Sequence, residues 1–368
     1  MHTLPSPLFG NAYAGRPTFV TGHAGFKGSW LALWLDMLGA VVTGFSDDLP
    51  TEPAHFALLD LDIADCRGNL REFDLLLDAM RAAQPEIVFH LAAQPLVSAS
   101  YRDPLTTYAN NVLGTTHLLE ACRQTDSVRA VVIVTTDKCY ENDGRRGAYR
   151  EEDRLGGHDP YSASKACCEI IAESYRQAFA REAGRPLIAT CRAGNAIGGG
   201  DWAADRLIPC CVRSAVGGEP VRLRLPEATR PWQHVLEPLS GYLLLGSRLL
   251  AGDASLAEPW NIGPGIDGEL TVLGMVRQAR RHWEAVRYIE PDTQAAASLP
   301  YHESRYLMID GEKIRRRIGW QPVWTFAEGI ERTFEWYRRY YENGDVISRE
   351  QLIAYAEAAR QCGAAWCV

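Results

Sequence analysis

The chain has 368 residues, 46% hydrophobic and 23% charged, with a formal net charge of −8, a length that calls for one large domain or two coupled ones. The acidic balance argues against a general nucleic-acid binder, which must neutralise phosphates, so an anionic ligand has to be met by local arginines. No window approaches the ~20 apolar residues of a membrane span, and Pro5, Pro7 and Gly10 break up the first residues so that they do not read as a signal peptide; the cytoplasm is the expected location.

Arg16–Thr21 reads as a buried strand. A helix follows from Lys27 to Leu38, with Trp30, Leu31, Trp34, Leu35 and Leu38 at 3–4 spacing, stopped by Gly39. Val41–Phe45, Ile87–Leu91 and Val131–Thr135 are further strands, with helical patterns at Leu70–Ala82 and Thr106–Arg123 between them. A long helix is expected from Tyr161 to about Ala183, then a strand at Leu187–Arg192. Strands separated by helices imply right-handed βαβ units and a parallel sheet covered on both faces. Beyond Gly194 the texture changes: Gly and Pro become frequent, and Val221-Arg-Leu-Arg-Leu225 alternates at period 2. Helices return at Val272–His282 and Phe326–Asn343. The expected fold is α/β: a doubly wound parallel-sheet Rossmann domain, mainly residues 1–195, and a smaller irregular α/β lobe, mainly 196–368, with segments interleaving.

Ten cysteines include the adjacent pairs Cys167-Cys168 and Cys210-Cys211 but no C-x-x-C. This is not zinc-ligand spacing, and reduced, mostly buried thiols with no metal are expected.

Gly22-His-Ala-Gly25-Phe-Lys-Gly28 joins the first strand to the first helix as G-x-x-G-x-x-G. Glycines let backbone approach a pyrophosphate, and the helix N-terminus adds free N–H groups and a positive dipole. Lys27 precedes Gly28, so the P-loop order fails. An acid for the adenosine ribose is expected about 20 residues on; Asp47 and Asp48 are the candidates, and solvated loop acids the competing reading. No arginine follows that strand directly, which favours NAD over NADP.

Tyr161-Ser-Ala-Ser-Lys165 places a phenol and an ammonium one turn apart on one helix face. A phenol with a pKa near 10 is a poor base at neutral pH, and a neighbouring ammonium favours its anion. Thr135-Thr136-Asp137-Lys138 closes a strand at the carboxyl end of the sheet, where such folds bind ligands. Taken singly, Tyr-x-x-x-Lys is a common surface pair and Asp137 with Lys138 a local ion pair; together they form an acid–base set.

These features resemble the extended short-chain dehydrogenase/reductase superfamily, and longer strings narrow the likeness. Thr21-Gly-His-Ala-Gly-Phe-Lys-Gly-Ser-Trp30, Phe89-His-Leu-Ala-Ala-Gln-Pro95, Thr136-Asp-Lys-Cys-Tyr140, Arg192-Ala-Gly-Asn-Ala-Ile-Gly-Gly-Gly-Asp-Trp202 and Thr229-Arg-Pro-Trp-Gln-His234 resemble the CDP-glucose 4,6-dehydratases. The resemblance implies NAD-dependent conversion of a nucleotide-activated hexose, CDP-glucose foremost, to a 4-keto-6-deoxy sugar. Tyr161 would take the 4-hydroxyl proton, Lys165 hold the ribose and tune the phenol, and Thr136 bond near the 4-oxygen. Asp137 would protonate the departing 6-hydroxyl. Lys138 stands where many dehydratases carry a glutamate base, and a lysine must be neutral to accept a proton.

The resemblance also implies that Gly22, Gly25, Phe26, Lys27, Gly28 and Asp47 bind the cofactor. Asp62 and Ile63 would face its adenine, Leu91, Ala92 and Ala93 line its channel, and Asn111 support the active-site end. Gln94 and Asn195 would meet the sugar nucleotide, and Arg206, Arg230 and Arg305 are candidates for its diphosphate. The chain departs from the family at Ser98-Ala99, where basic residues are expected, and at Cys210-Cys211 and Arg305. A nucleotide-sugar epimerase or decarboxylase and a non-catalytic NAD-binding protein are the rival readings. Thr136-Asp137-Lys138 argues against C4 epimerisation, which expels no hydroxyl. A homodimer or homotetramer is expected through the helices of 106–123 and 161–183.

Overall fold

A computed structural model describes residues 4–5, 7–145, 147–179, 184–264, 269–289 and 306–368. Seven strands form one parallel sheet: β1 (Pro17–Thr21), β2 (Val41–Ser46), β3 (Ala64–Arg67), β4 (Ile87–His90), β5 (Ala130–Val134), β6 (Leu187–Ala193) and β7 (Pro259–Ile262), in the order β7-β6-β5-β4-β1-β2-β3. From β1 the chain winds outward through β2 and β3, then returns to lay β4 on the other side of β1. That reversal leaves a crevice between the carboxyl ends of β1 and β4, the place where open α/β sheets take ligands.

Both faces are covered, so the central strands are apolar on both sides; every residue of Ala130–Val134 is buried. On one face lie α1 (Phe26–Met37) and the helices of the second half; on the other lie α2 (Phe73–Ala83), α3 (Gly114–Arg123) and α4 (Pro160–Ala178). The remaining long helices are α5 (Leu207–Gly217), α6 (Leu236–Leu250), α7 (Val272–His282), α8 (Phe326–Asn343) and α9 (Ser348–Gln361). The doubly wound α/β architecture expected from the alternation is the observed one.

Four details differ from the sequence reading. Strand β3, Ala-Asp-Cys-Arg, was not expected, because it carries charge at alternate positions on the sheet edge. Helix α6 was not expected either: all its residues except Arg248 are buried, so it shows no polar stripe to reveal a period. The run expected as one helix over Thr106–Arg123 is Pro104–Tyr108, a π turn at Ala109–Leu113, and α3. The alternating Val221–Leu225 pairs as strand only over Val221–Arg222. Residues 180–183, into which the long helix was expected to run, lie outside the described residues. The seventh strand comes from the second half of the chain and pairs with β6.

Candidate active site

The turn between β1 and α1 needs glycine at two positions for a steric reason. Gly22 has φ +75, and a Cβ on it would lie 2.6 Å from the Ala92 nitrogen; on Gly28 a Cβ would lie 2.0 Å from the Gly22 carbonyl oxygen. Bare backbone therefore packs against the end of β4. Helix α1 starts at Gly25 with no side chain capping it, so its first N–H groups point outward for an anion.

This turn forms one wall of a cavity of about 750 Å³ at the carboxyl ends of the strands. Gly22, Gly25, Phe26, Lys27 and Gly28 all line it, as do Leu91, Ala92 and Ala93. Asp47 and Asp48 line its far end, where Asp47 Oδ2 accepts from Asn69 Nδ2 at 2.7 Å. At the other end stand Thr136, Asp137, Lys138, Tyr161, Lys165, Asn195, Arg206 and Arg230. The glycine turn, the capless helix end and a cavity reaching from Asp47 to Tyr161 fit a dinucleotide such as NAD.

Thr136 caps a 3-10 turn at Asp137–Cys139, accepting from the Lys138 backbone N–H at 3.3 Å, and its hydroxyl donates to Asp137 Oδ1 at 3.1 Å. Asp137 is buried, and its Oδ2 has no hydrogen-bond partner among the described residues. Burial pushes its carboxyl up, against the pull of Lys138, the Thr136 bond, Arg230 and Lys27. A carboxyl biased toward its protonated form is suited to give a proton to a leaving oxygen.

Helix α4 opens with Pro160 at its first turn, capped by Asp159, which accepts from the Ser162 N–H at 2.9 Å. Its face carries Tyr161 and Lys165 to the end of β5. Burial pushes the Tyr161 phenol up to about 12, and a hydrogen bond with Thr136 and the Arg206 guanidinium pull the other way. Lys165 is buried and donates from Nζ to the Val134 carbonyl at 3.0 Å. Burial beside Arg206 brings Lys27 down to about 8, with Asp137 opposing. Arg206 pairs with Asp201 at 3.0 Å, and Arg230, buried, donates to the Thr229 carbonyl at 2.7 Å. Lys27, Arg206 and Arg230 therefore put three cations along one cavity, a setting for a diphosphate.

Not every expected residue reaches the cavity. Asp62 is exposed and Ile63 packs on the main core; neither is in the lining. They precede β3, at its amino end, whereas Gly68, Asn69 and Leu70 follow it and do line the cavity. Gln94 is also absent from the lining: its amide accepts from the Leu96 N–H at 2.6 Å and donates to Thr107 Oγ1 at 2.9 Å, shaping its own loop. Asn111 works from behind the wall, its amide bonded to Ser164 Oγ at 2.8 Å and to the backbone of Gln94. Arg305 lies outside the described residues.

Other lining residues were not among the expected ligands. Arg222 and Arg224 both border the cavity, within the run Val221–Leu225, all of which lines it. Ser98 donates to Asp205 Oδ2 at 2.6 Å across the rim, a contact between segments 107 residues apart that no local pattern reveals. Among the described residues no cluster of metal-ligating side chains occurs, and all ten cysteines are unpaired.

The family described as GDP-mannose 4,6-dehydratase matches residues 19–333. The CDP-glucose 4,6-dehydratase of Salmonella typhimurium is 42% identical over 358 residues, which cover 95% of this chain and 98% of that protein. A dTDP-glucose 4,6-dehydratase of Xanthomonas campestris pv. campestris is 27% identical, covering 86% of this chain and 92% of its own. Among solved structures, the dTDP-glucose 4,6-dehydratase DesIV from Streptomyces venezuelae, with NAD and TYD bound, aligns at TM-score 0.72 and 27% identity over 89% of this chain and 97% of that one.

Proposed function

The chain belongs to the GDP-mannose 4,6-dehydratase family, and from that premise we propose that it is a hydro-lyase converting CDP-glucose to CDP-4-dehydro-6-deoxyglucose and water with NAD as cofactor. The observation that carries this reading is the buried carboxyl of Asp137, held by Thr136 in the same cavity as Tyr161 and Lys165. An epimerase acting only at C4 has no hydroxyl to expel and no use for that acid.

The chemistry that NAD would supply in this cavity is a hydride acceptor for C4 of the sugar and, once reduced, a hydride donor for C6. Tyr161 accepts the 4-hydroxyl proton, and Thr136 steadies the 4-oxygen. The 4-ketone acidifies C5–H, and Lys138, next to Asp137 in the chain, would take that proton when neutral. Asp137 protonates the departing 6-hydroxyl, so one water leaves and the sugar keeps its oxidation level overall. Gly22, Gly25, Phe26, Lys27, Gly28, Asp47, Leu91, Ala92 and Ala93 hold the cofactor, with Asn111 bracing Ser164 from behind. Asn195, Arg206 and Arg230 take the sugar nucleotide.

In this reading residues 1–195 mainly serve the cofactor and 196–368 mainly the nucleotide sugar, while β7 crosses back into the sheet. The assembly is a homodimer or homotetramer: Leu105, Tyr108 and Leu113 and, on α4, Ile170 are exposed apolar side chains on neighbouring helices. No helix among the described residues is long and apolar enough to cross a membrane, and the proposed location is the cytoplasm.

Product mass tests the reaction. Purified protein with NAD and CDP-, dTDP-, UDP- or GDP-glucose should yield a product lighter by one water, fastest from CDP-glucose. An unchanged mass with an inverted C4, or no product from any of the four, refutes it.

A further inference from the structure

Beneath the cavity lies a buried ion pair that the mechanism above does not use. Arg192, on β6, meets Glu169, on α4, at 2.9 Å, with both side chains at most 2% exposed. Burial alone would push the Glu169 carboxyl up, yet Arg192 and the hydroxyls of Thr135 and Thr190 hold it below its usual value. A buried pair of this kind is seldom better for stability than apolar packing, so its place in the fold calls for another reason.

That place is distinctive. Glu169 Oε1 accepts from Thr135 Oγ1 at 2.5 Å, and Thr135 immediately precedes Thr136 and Asp137. Glu169 Oε2 accepts from Thr190 at 2.7 Å and from Arg192. The other arm of Arg192 donates to the hydroxyl of Tyr140 at 2.9 Å and to the Glu151 carbonyl at 3.1 Å. Tyr140 immediately follows the turn Asp137–Cys139. The pair therefore grips the residue before Thr136 and the residue after Cys139. Glu169 also stands one helical turn from Lys165 and two from Tyr161 on the same helix.

Resting on the dehydratase reading, we propose that Glu169 and Arg192 are positioning residues: one buried ion pair clamps both ends of the turn that carries Thr136 and Asp137 to the helix that carries Tyr161 and Lys165. The clamp fixes the distance between the group that takes the 4-hydroxyl proton and the group that protonates the 6-hydroxyl. Misplacing a catalytic group by about an ångström can reduce rate by about 100-fold, so loosening this turn should act on kcat more than on substrate binding.

Thr135→Val tests it most directly, because it keeps the β-branched shape and the ion pair while cutting the tether. Rates are taken per NAD-binding site, so that loss of folded protein does not count. With CDP-glucose, Thr135→Val should reduce kcat about 10- to 100-fold with KM within about twofold of the parent. Glu169→Gln weakens the same tether by replacing an ionised acceptor with a neutral amide, so it should lower kcat in the same direction, and the double variant should be little worse than Thr135→Val alone. If Glu169→Gln does not fold, Thr135→Val decides alone. A Thr135→Val protein that binds NAD and turns over at the parent rate overturns the proposal. So does a loss confined to the folded fraction, the signature of a merely structural pair. A parent inert toward all four nucleotide sugars removes the reaction and the clamp with it; an active parent beside variants of unchanged rate removes the clamp alone.

Discussion

Lys165 donates from Nζ to the carbonyl oxygen of Val134, 3.0 Å away, and so fastens α4 to the last residue of β5. Burial lowers the Lys165 pKa, while Cys168, Glu169 and Cys139 raise it. The phenol of Tyr161, one turn earlier, is pushed up to about 12 by its own burial. On the proposed mechanism the ammonium would have two tasks, to hold geometry through Val134 and to favour the phenolate.

Lys165→Met removes both tasks at once. It keeps chain length and loses both the donor and the charge. The rate should fall by about 10²–10⁴-fold, the usual worth of an activated base. What remains should climb with pH through the neutral range and beyond, because the phenol then loses its proton only at alkaline pH. Measured kcat/KM against pH checks this; a profile of unchanged shape shows that Lys165 does not tune the phenol.

Gly28→Ala should impair NAD binding by tenfold or more, about 1.4 kcal/mol. The added Cβ would meet backbone, the Gly22 carbonyl at 2.0 Å and the His23 Cα at 2.8 Å, so the whole turn has to move. Gly217→Ala is the control: it meets nothing within 4 Å and should leave binding and stability alone. Calorimetric titration of both variants with NAD gives the comparison, and equal affinities would mean that the turn does not hold the cofactor.

The legible part of this site is the part written in local order. The glycine turn, Thr136-Asp137 and Tyr161-x-x-x-Lys165 each belong to one strand end or helix start, so spacing alone placed them at the carboxyl edge of the sheet. What escaped depends on contacts between distant segments or on elements without a period. Asp62 and Ile63 were misplaced because the charged edge strand β3 was unseen, which hid that the cavity lies after Arg67 and not before Ala64. Gln94 was carried over with the Phe89–Pro95 string of the resemblance, yet its amide is engaged by its own loop. Arg192 stood inside a quoted string, but its partner Glu169 became visible only when β6 and α4 were brought together.

Stability should fall on acidification. Burial lowers His55, His90 and His234 from 6.5 to about 3, so the folded chain keeps them neutral. The unfolded chain protonates them below pH 6.5, and stability is lost as pH falls from there toward 3. Glu237 acts in the opposite sense: burial raises it from 4.5 to about 7, so its contribution is lost as pH rises through that range. Between pH 4.5 and 6.5 His23 acts with these histidines, while the raised carboxyls of Asp137 and Glu151 act with Glu237, and the histidines set the direction of the net proton uptake on unfolding. Urea midpoints at pH 7.5, 6 and 5 should drop in turn. A midpoint that stays level or rises shows that these histidines are not held neutral.

The sharpest division is between oxidation and elimination. On the proposed roles, Tyr161→Phe removes the group that would take the 4-hydroxyl proton, so no later step should begin, although the cavity wall remains to bind NAD. Asp137→Asn keeps the shape of the turn and its bond from Thr136 but cannot protonate the 6-hydroxyl. That variant should still oxidise C4 and then stall, slowed overall by about 10²–10⁴-fold, with reduced cofactor accumulating on the enzyme. Because the second Asp137 oxygen has no hydrogen-bond partner among the described residues, the substitution breaks no hydrogen bond on that side, and folding should survive it. Rapid-mixing absorbance at the band of the reduced cofactor distinguishes the two: a lasting signal in Asp137→Asn, none in Tyr161→Phe. If Asp137 and Lys138 were only a structural ion pair, Asp137→Asn would lose stability and keep normal turnover in what remains folded. Parent-like turnover in Asp137→Asn, or a normal signal in Tyr161→Phe, would therefore overturn the assignment of these two roles.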